Sequence, residues 1–362
     1  MLRLILLLMT LPVTASAQLV FIGTYTRTTS RGIYALRLDP TTGALSEPML
    51  AAESPNPSFL AFTPDKKILY AVSESNAMAA AFATDLKEGT LRSLQAPQSS
   101  GGAAPCHLVV DPTQRALVVA NYHTGIVAAI PLHADGTLGT PNVVPHSGHS
   151  VNPERQSSPH VHSVTLSPDG KFVIVCDLGL DRIFTYQLDA ARAQLTLASF
   201  VATEPGSGPR HFAFGKDGRH AYALTEMGNT VNAYDYNSAT GALTPRQTLS
   251  TLPPDFKGAT TGAEIRVHPN GRFVYTSNRG HDSIAVFSID PASGKLAVVE
   301  ITACGGKNPR NFAISPDGEW MLCANQNSDS LTVLKVDAKT GRLKLTSNLA
   351  RVPQPVCVLF AP

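Results

Sequence analysis

The sequence predicts an all-β chain folded as a seven-bladed β-propeller. Three observations carry this: one turn signal repeated seven times, a second turn class between its copies, and a C-terminal segment that completes an unfinished repeat. The first signal reads Gly-x-Leu and ends at Leu45, Leu91, Leu138, Leu243, Leu296 and Leu343, with a degenerate copy (ARAQL) ending at Leu195. Neighbouring copies are 46, 47, 57, 48, 53 and 47 residues apart. A period of about 45–50 residues built from short strands is one propeller blade per repeat.

The second turn class recurs inside each unit, at Thr63–Lys67, Asp111–Gln114, Ser167–Gly170, Lys216–Gly218, Pro269–Gly271 and Ser315–Gly318. Pro presets φ, and Asp-Gly or Asn-Gly supplies the positive φ of a tight hairpin. Runs such as FAFGKDGRHAYALTE and IRVHPNGRFVYTSN flank these turns with Val, Ile, Phe and Tyr at near-alternate positions, the pattern of strands. No helical period is sustained beyond the extreme N-terminus. Seven Leu turns stand against only six Pro/Asp turns, and the chain end accounts for the difference. Pro355–Pro362 (PVCVLFAP) matches Pro57–Pro64 (PSFLAFTP) in pattern. The last residues are therefore expected to be a seventh innermost strand. Its partners are LVFIGTY, GIYALRLD and the strand after TTGAL, so one blade is stitched from both termini. Such closure removes open sheet edges.

Residues 1–17, MLRLILLLMTLPVTASA, combine Arg3, an apolar run and Ala15-Ser16-Ala17. This is a signal-peptide pattern with cleavage expected before Gln18, and the apolar run is short for a membrane span. Residues 18–362 are then one propeller domain, expected in the periplasm or secreted and off the membrane once the leader is removed. Charged residues make up 15% of the chain and the net charge is +2, with no basic stripe, which argues against a nucleic-acid partner. The five cysteines (Cys106, Cys176, Cys304, Cys323, Cys357) show no metal-site spacing. Most are expected to be buried free thiols.

Internal alignment locates a site. Taking the Pro of the second turn class (Lys216 in one repeat) as zero, the residues six earlier are Ser58, Cys106, His162, Arg210, Ala263, Arg310 and Val356. The next residues are Phe59, His107, Ser163, His211, Glu264, Asn311 and Cys357. Ten after zero stand Glu74, Tyr122, Leu178, Glu226, Arg279 and Gln326. Adjacent strands run antiparallel, so the start of one and the end of the next share a rim. His162, His107, Arg210, Arg279, Arg310, Glu226, Glu264 and Glu74 are therefore expected around one mouth of the channel. Charges on innermost strands are costly unless paired or used. His160 and His162, two apart on a strand, are expected on one face. No third ligand accompanies them, so neither metal nor cofactor is expected. Asn121, Asn278 and Asn325 are expected mostly as strand-end caps. The longest step carries its extra residues in TPNVVPHSGHSVNPERQSSP, which enters the His162 strand and is a candidate cover for the rim.

The blocks PCHLVVDP…VVANYHTG, SPHVHSVTLSPDG…DLGLDRIFTY, GSGPRHFAF…YALTE and IRVHPNGRFVYTSNRGHDSIAVF resemble the lactonase family of seven-bladed propellers. That family includes propeller-type 6-phosphogluconolactonases and fungal carboxymuconate lactonizing enzymes. The resemblance covers nearly all of the chain after residue 17. It implies hydrolysis of a sugar δ-lactone, a small-molecule substrate. In the muconate branch the proposed site uses a His, two Arg and a Glu, matched here by His162, Arg210, Arg279 and Glu226. In this reading His162 is the general base, the arginines hold anionic groups, and Glu226 orients His162 or protonates the leaving group. His107, His160, Glu264 and Arg310 are expected at the substrate. The resemblance gives 6-phosphogluconolactone as the reference substrate, a cytosolic compound. An exported enzyme conflicts with it: either the substrate is an unphosphorylated aldonolactone or another lactone outside the inner membrane, or residues 1–17 are not a leader. A muconate-type cycloisomerase and a non-enzymatic ligand-binding propeller are the alternatives.

Overall fold

The computed structural model describes residues 16–361. The leader expectation therefore falls, for residues 1–15, outside the described residues. No helix among those described is long and apolar enough to cross a membrane.

Seven antiparallel sheets make the seven blades, in sequence order around the ring. The innermost strands are Leu60–Phe62, Pro105–Val110, Val161–Leu166, Pro209–Phe214, Thr261–Val267, Pro309–Ile314 and Pro355–Phe360. The last pairs with Gln18–Thr24, which continues to Gly32–Leu38 and Met49–Glu53. One blade is thus closed from both ends of the chain, as the sequence predicts. Each blade is sandwiched between two others, so its middle strands are buried on both faces. Ala116–Asn121 and Phe172–Asp177 are buried at every position, and their apolar runs are continuous rather than alternating. The outer strand Gln194–Ala202 is mostly exposed.

The repeated Gly-x-Leu turn docks one blade on the next. Gly136, Gly294 and Gly341 have φ of 83°, 66° and 76°, in the left-handed region that glycine occupies without a Cβ penalty. Their carbonyls accept hydrogen bonds from Tyr70, Tyr222 and Tyr275 of the preceding blade at 2.8, 3.0 and 2.8 Å. At the ring closure Trp320 takes this place and donates to Pro40 O at 2.9 Å. A Cβ on Gly43 would lie 2.4 Å from the Trp320 ring. The turn is conformational punctuation and also an interblade contact. The degenerate copy keeps the conformation with Ala193 at φ 49°.

The recurrent asparagines are caps. Asn121 accepts from Ser100 Oγ (2.7 Å) and donates back to Ser100 O (3.0 Å). Asn278 does the same with Thr251, at 2.6 and 2.8 Å. In the last blade Cys304 takes the place of the hydroxyl and donates to Asn325 Oδ1 at 3.2 Å. All five cysteines are free and buried.

Candidate active site

The backbone at the start of the innermost strands departs from regular pairing in the same way in blade after blade. The register with the neighbouring strand slips across His162, Arg210 and Arg310, and across Cys106 and Val356 in the equivalent positions. A β-bulge places two residues opposite one and re-aims a side chain. Here it turns consecutive residues toward the channel, so that Arg210 and His211 touch each other: Nη1 of the arginine lies 3.2 Å from Nε2 of the imidazole.

The upper mouth opens on a cavity of about 420 Å³. His162, Glu226, Arg279, Arg310 and Glu74 line it, together with Arg27, Tyr122 and Arg155. Glu226 is its organising anion. Oε2 accepts from Arg210 Nε and Arg279 Nη2, both at 2.9 Å, and Oε1 accepts from Arg155 Nη2 at 2.6 Å. Burial opposes the ionised carboxylate. The Arg279, Arg210 and Arg155 charges outweigh that and hold its pKa far below the usual carboxylate range. Arg210, expected at the mouth, does not line the cavity: it reaches the site through Glu226, and its side chain is only 2% exposed. Burial and the charges of Arg279 and Arg310 draw its pKa down to about 9, which leaves it cationic at neutral pH. Arg310 forms no ion pair among the described residues; its guanidinium lies over the Tyr25 ring, 5.3 Å from the centroid. Arg27 and the Tyr25 hydroxyl take up Glu74 instead.

His162 is buried, and its Nδ1 has no hydrogen-bond partner. Nε2 is the nitrogen left for a ligand. Burial first, then Arg210, His211, Arg310 and Arg279, push its pKa well below 6.5, so the ring is neutral at physiological pH. No hydrogen bond joins it to Glu226. The carboxylate does not orient the imidazole as the sequence reading expected, and an acid this strong is not a proton donor at neutral pH.

Three other expectations need correcting. His107 and Glu264 do not ring this mouth. They line a separate cavity of about 510 Å³ at the opposite end of the innermost strands. His107 packs against Phe59 with the rings tilted by 30° (centroids 3.8 Å), and Glu264 accepts from His211 Nδ1 at 3.0 Å and from Asn311. The cause is the one-residue offset: the position after the bulge points one layer deeper. His160 precedes the strand, stacks on Tyr122 (4.5 Å, 12°) and places Nδ1 3.0 Å from the Tyr122 carbonyl. His162 meets the edge of the same tyrosine at 5.5 Å. The two imidazoles flank Tyr122 and do not share a face. Among the described residues no group of three His, Cys, Asp or Glu is placed to hold a metal.

Arg155 was not identified from sequence. It sits in the inserted segment, whose only hint was its extra length and polar composition. That segment does reach the rim, since Arg155 bonds Glu226 and Tyr122. His146 anchors its start, 2.6 Å from Asp177 and 2.8 Å from Tyr186 OH.

Three buried imidazoles make the fold acid-sensitive. His107, His162 and His211 all have pKa values lowered by burial, His211 to about 4. The unfolded chain protonates them near 6.5 while the folded chain does not, so stability falls as pH drops below that value. Each contributes on the order of 1 kcal/mol between pH 7.5 and 5.5. The urea midpoint is expected to be clearly lower at pH 5.5 than at pH 7.5; an unchanged midpoint would mean that the rings titrate in the folded state.

An all-β ring whose upper mouth gathers two imidazoles (His123 and His162), two carboxylates and four guanidiniums defines the class, a propeller with a polar chamber at one end of its channel. The chain belongs to the family described as Lactonase, 7-bladed beta-propeller, which it matches over residues 19–360. It is 39% identical over 344 residues to the 6-phosphogluconolactonase of Bacillus subtilis, covering 94% of this chain and 97% of that one. A solved structure of a periplasmic gluconolactonase from Pseudomonas aeruginosa superposes with a TM-score of 0.90 at 35% identity, covering 96% and 99% of the two chains. A candidate 6-phosphogluconolactonase from Bacteroides fragilis gives 0.90 at 34%, covering 97% and 99%.

Proposed function

We propose that this protein is an exported lactonase that hydrolyses a sugar δ-lactone in the upper cavity. The observation that carries this is a neutral imidazole, unpartnered at Nδ1, bordering a chamber with an ion-pair-free guanidinium (Arg310) and a second one (Arg279) tied to Glu226. The names of the relatives support the reaction class.

Neutral His162 takes a proton from water as the oxygen attacks the lactone carbonyl. The negative charge that develops on the carbonyl oxygen is met by the Arg279 and Arg310 guanidiniums, which are in place before reaction begins. When the ring C–O bond breaks, the imidazolium returns its proton to the departing oxygen, and the hydroxy acid leaves. Glu226 stays ionised throughout and fixes the positions of Arg279 and Arg210. An unphosphorylated aldonolactone fits the leader pattern of residues 1–17 and the periplasmic description of the Pseudomonas relative.

The test is acid release in a pH-stat with glucono-δ-lactone and its 6-phosphate, beside absorbance loss from carboxymuconate. Acid release above the uncatalysed rate from either gluconolactone is the expected result, with the unphosphorylated compound preferred. Turnover of carboxymuconate alone would identify a cycloisomerase, and no turnover of any would leave a binding propeller.

A further inference from the structure

Beneath the reaction chamber lies a second polar layer that the mechanism above does not use. It consists of His211, Glu264, Asn311 and Arg266, drawn from three different innermost strands. Their hydrogen bonds have one consistent direction. Asn311 Nδ2 donates to Glu264 Oε2 while its Oδ1 accepts from Val358 N at 2.9 Å. Glu264 Oε1 also accepts from Ile265 N at 2.9 Å, and Arg266 lies 3.4 Å from Oε2. His211 Nδ1 faces Glu264 Oε1 at 3.0 Å and His211 Nε2 faces Arg210 Nη1 at 3.2 Å.

Chemistry fixes the imidazole's state. A guanidinium has donors and no acceptor, and an ionised carboxylate has acceptors and no donor. Nε2 must therefore carry a lone pair and Nδ1 the proton. Any other form sets N–H against N–H at Arg210 or lone pair against lone pair at Glu264. Arg210 then donates in two directions: Nε to Glu226, and Nη1 to His211 and the Ala263 carbonyl.

We propose that His211 is a positioning residue for the lactonase site, a neutral Nδ1–H imidazole that Glu264 locks in place and that holds Arg210, and through it Glu226, at the floor of the chamber. This rests on the lactonase reading for its catalytic consequence and on geometry alone for the tautomer. The charged and titratable groups facing the ring are Arg210, Glu264, Arg266, His107 and His162, the last two with centroids 5.2 Å away. Burial lowers the pKa of His211 to about 4 and the nearby Arg210 charge adds to this, against the raising effect of Glu264. Glu264 is itself held at about 2 by Arg266 and His211 despite its burial. Protonating Nε2 would turn the strut against Arg210, so the layer keeps its geometry only while His211 is neutral.

Two measurements test this. In the wild-type protein, long-range ¹H–¹⁵N correlation of the imidazoles is expected to show His211 as the Nδ1–H tautomer, neutral from pH 7.5 to 5. An Nε2–H tautomer, or an imidazolium at pH 6, would overturn the proposal whether or not any lactone is hydrolysed. The second compares His211→Gln with His211→Phe. A glutamine amide also offers one acceptor and one donor, whereas phenylalanine fills the space with neither. Glutamine is expected to keep kcat within about 10-fold, and phenylalanine to lower it by about 100-fold, the scale of a misplaced catalytic group. Equal losses in both variants would reduce His211 to a packing residue. A wild type inactive on every lactone would instead sink the lactonase reading and leave the tautomer measurement to decide the strut.

Discussion

Replacing His162 with glutamine is expected to lower kcat for lactone hydrolysis by about 10²–10⁴-fold, the range general acid–base catalysis supplies, with a much smaller change in KM. Two imidazoles line the chamber, the exposed His123 and the buried His162. His162 is the one held among Arg210, Arg279 and Arg310, neutral, unpartnered at Nδ1 and able both to accept and to return a proton. Every guanidinium is a permanent donor, and Glu226 has its oxygens occupied by three of them. The pH profile carries a second signature. Burial and the neighbouring arginines lower the His162 pKa, so its neutral form persists below 6.5. Wild-type kcat/KM is then expected to stay level from pH 7.5 through 6.5 and to fall only as pH drops through the lowered pKa. An acid limb centred at 6.5 or above would show that the catalytic base is another group. Glutamine at 162 cannot titrate, so the residual activity of that variant should lack the limb.

Replacing Glu226 with leucine is expected to produce the largest loss of stability. Arg210 and Arg279 have side chains only 2% and 12% exposed, and both neutralise against this one carboxylate. Removing one partner of a buried ion pair typically costs about 3–5 kcal/mol, because the other charge is left unpaired. The denaturant midpoint is expected to fall accordingly. Arg155 is 39% exposed at its side chain, and its bond to Glu226 is screened by water. Arg155→Ala is therefore expected to change stability by less than about 1 kcal/mol. A leucine variant as stable as wild type would mean that the arginines find other partners and that Glu226 is not the keystone of the cavity. The sign with pH follows from its lowered pKa. The stabilisation is fully present above the ordinary glutamate pKa and is lost as pH falls through the folded value.

The circular plan was legible because blades repeat. The Gly-x-Leu turns could be counted, and the unmatched C-terminal PVCVLFAP needed an N-terminal partner, which it finds in Gln18–Thr24. The same periodicity picked out His162, Arg210, Glu226 and Arg279, since aligned positions in different blades share a rim. It failed one residue along. His107 and Glu264 align next to rim residues but point into a deeper layer, because a bulge breaks the two-residue alternation on which strand reasoning depends. A bulge leaves no mark in a strand's composition. His160 was misplaced for a related reason: the strand begins at Val161, after it. Arg155 lies in an insertion outside the repeat, so no alignment of blades could reach it, and only folding shows that its guanidinium meets Glu226.

The upper cavity, and not the one at the opposite end of the channel, is expected to hold the reacting lactone. A crystal structure with the aldonic acid product bound tests this most directly. The product carboxylate is expected against Arg279 and Arg310, with a hydroxyl or carboxylate oxygen at His162 Nε2. Product seated instead between His107, Glu264 and Arg266, with the upper chamber unoccupied, would contradict it.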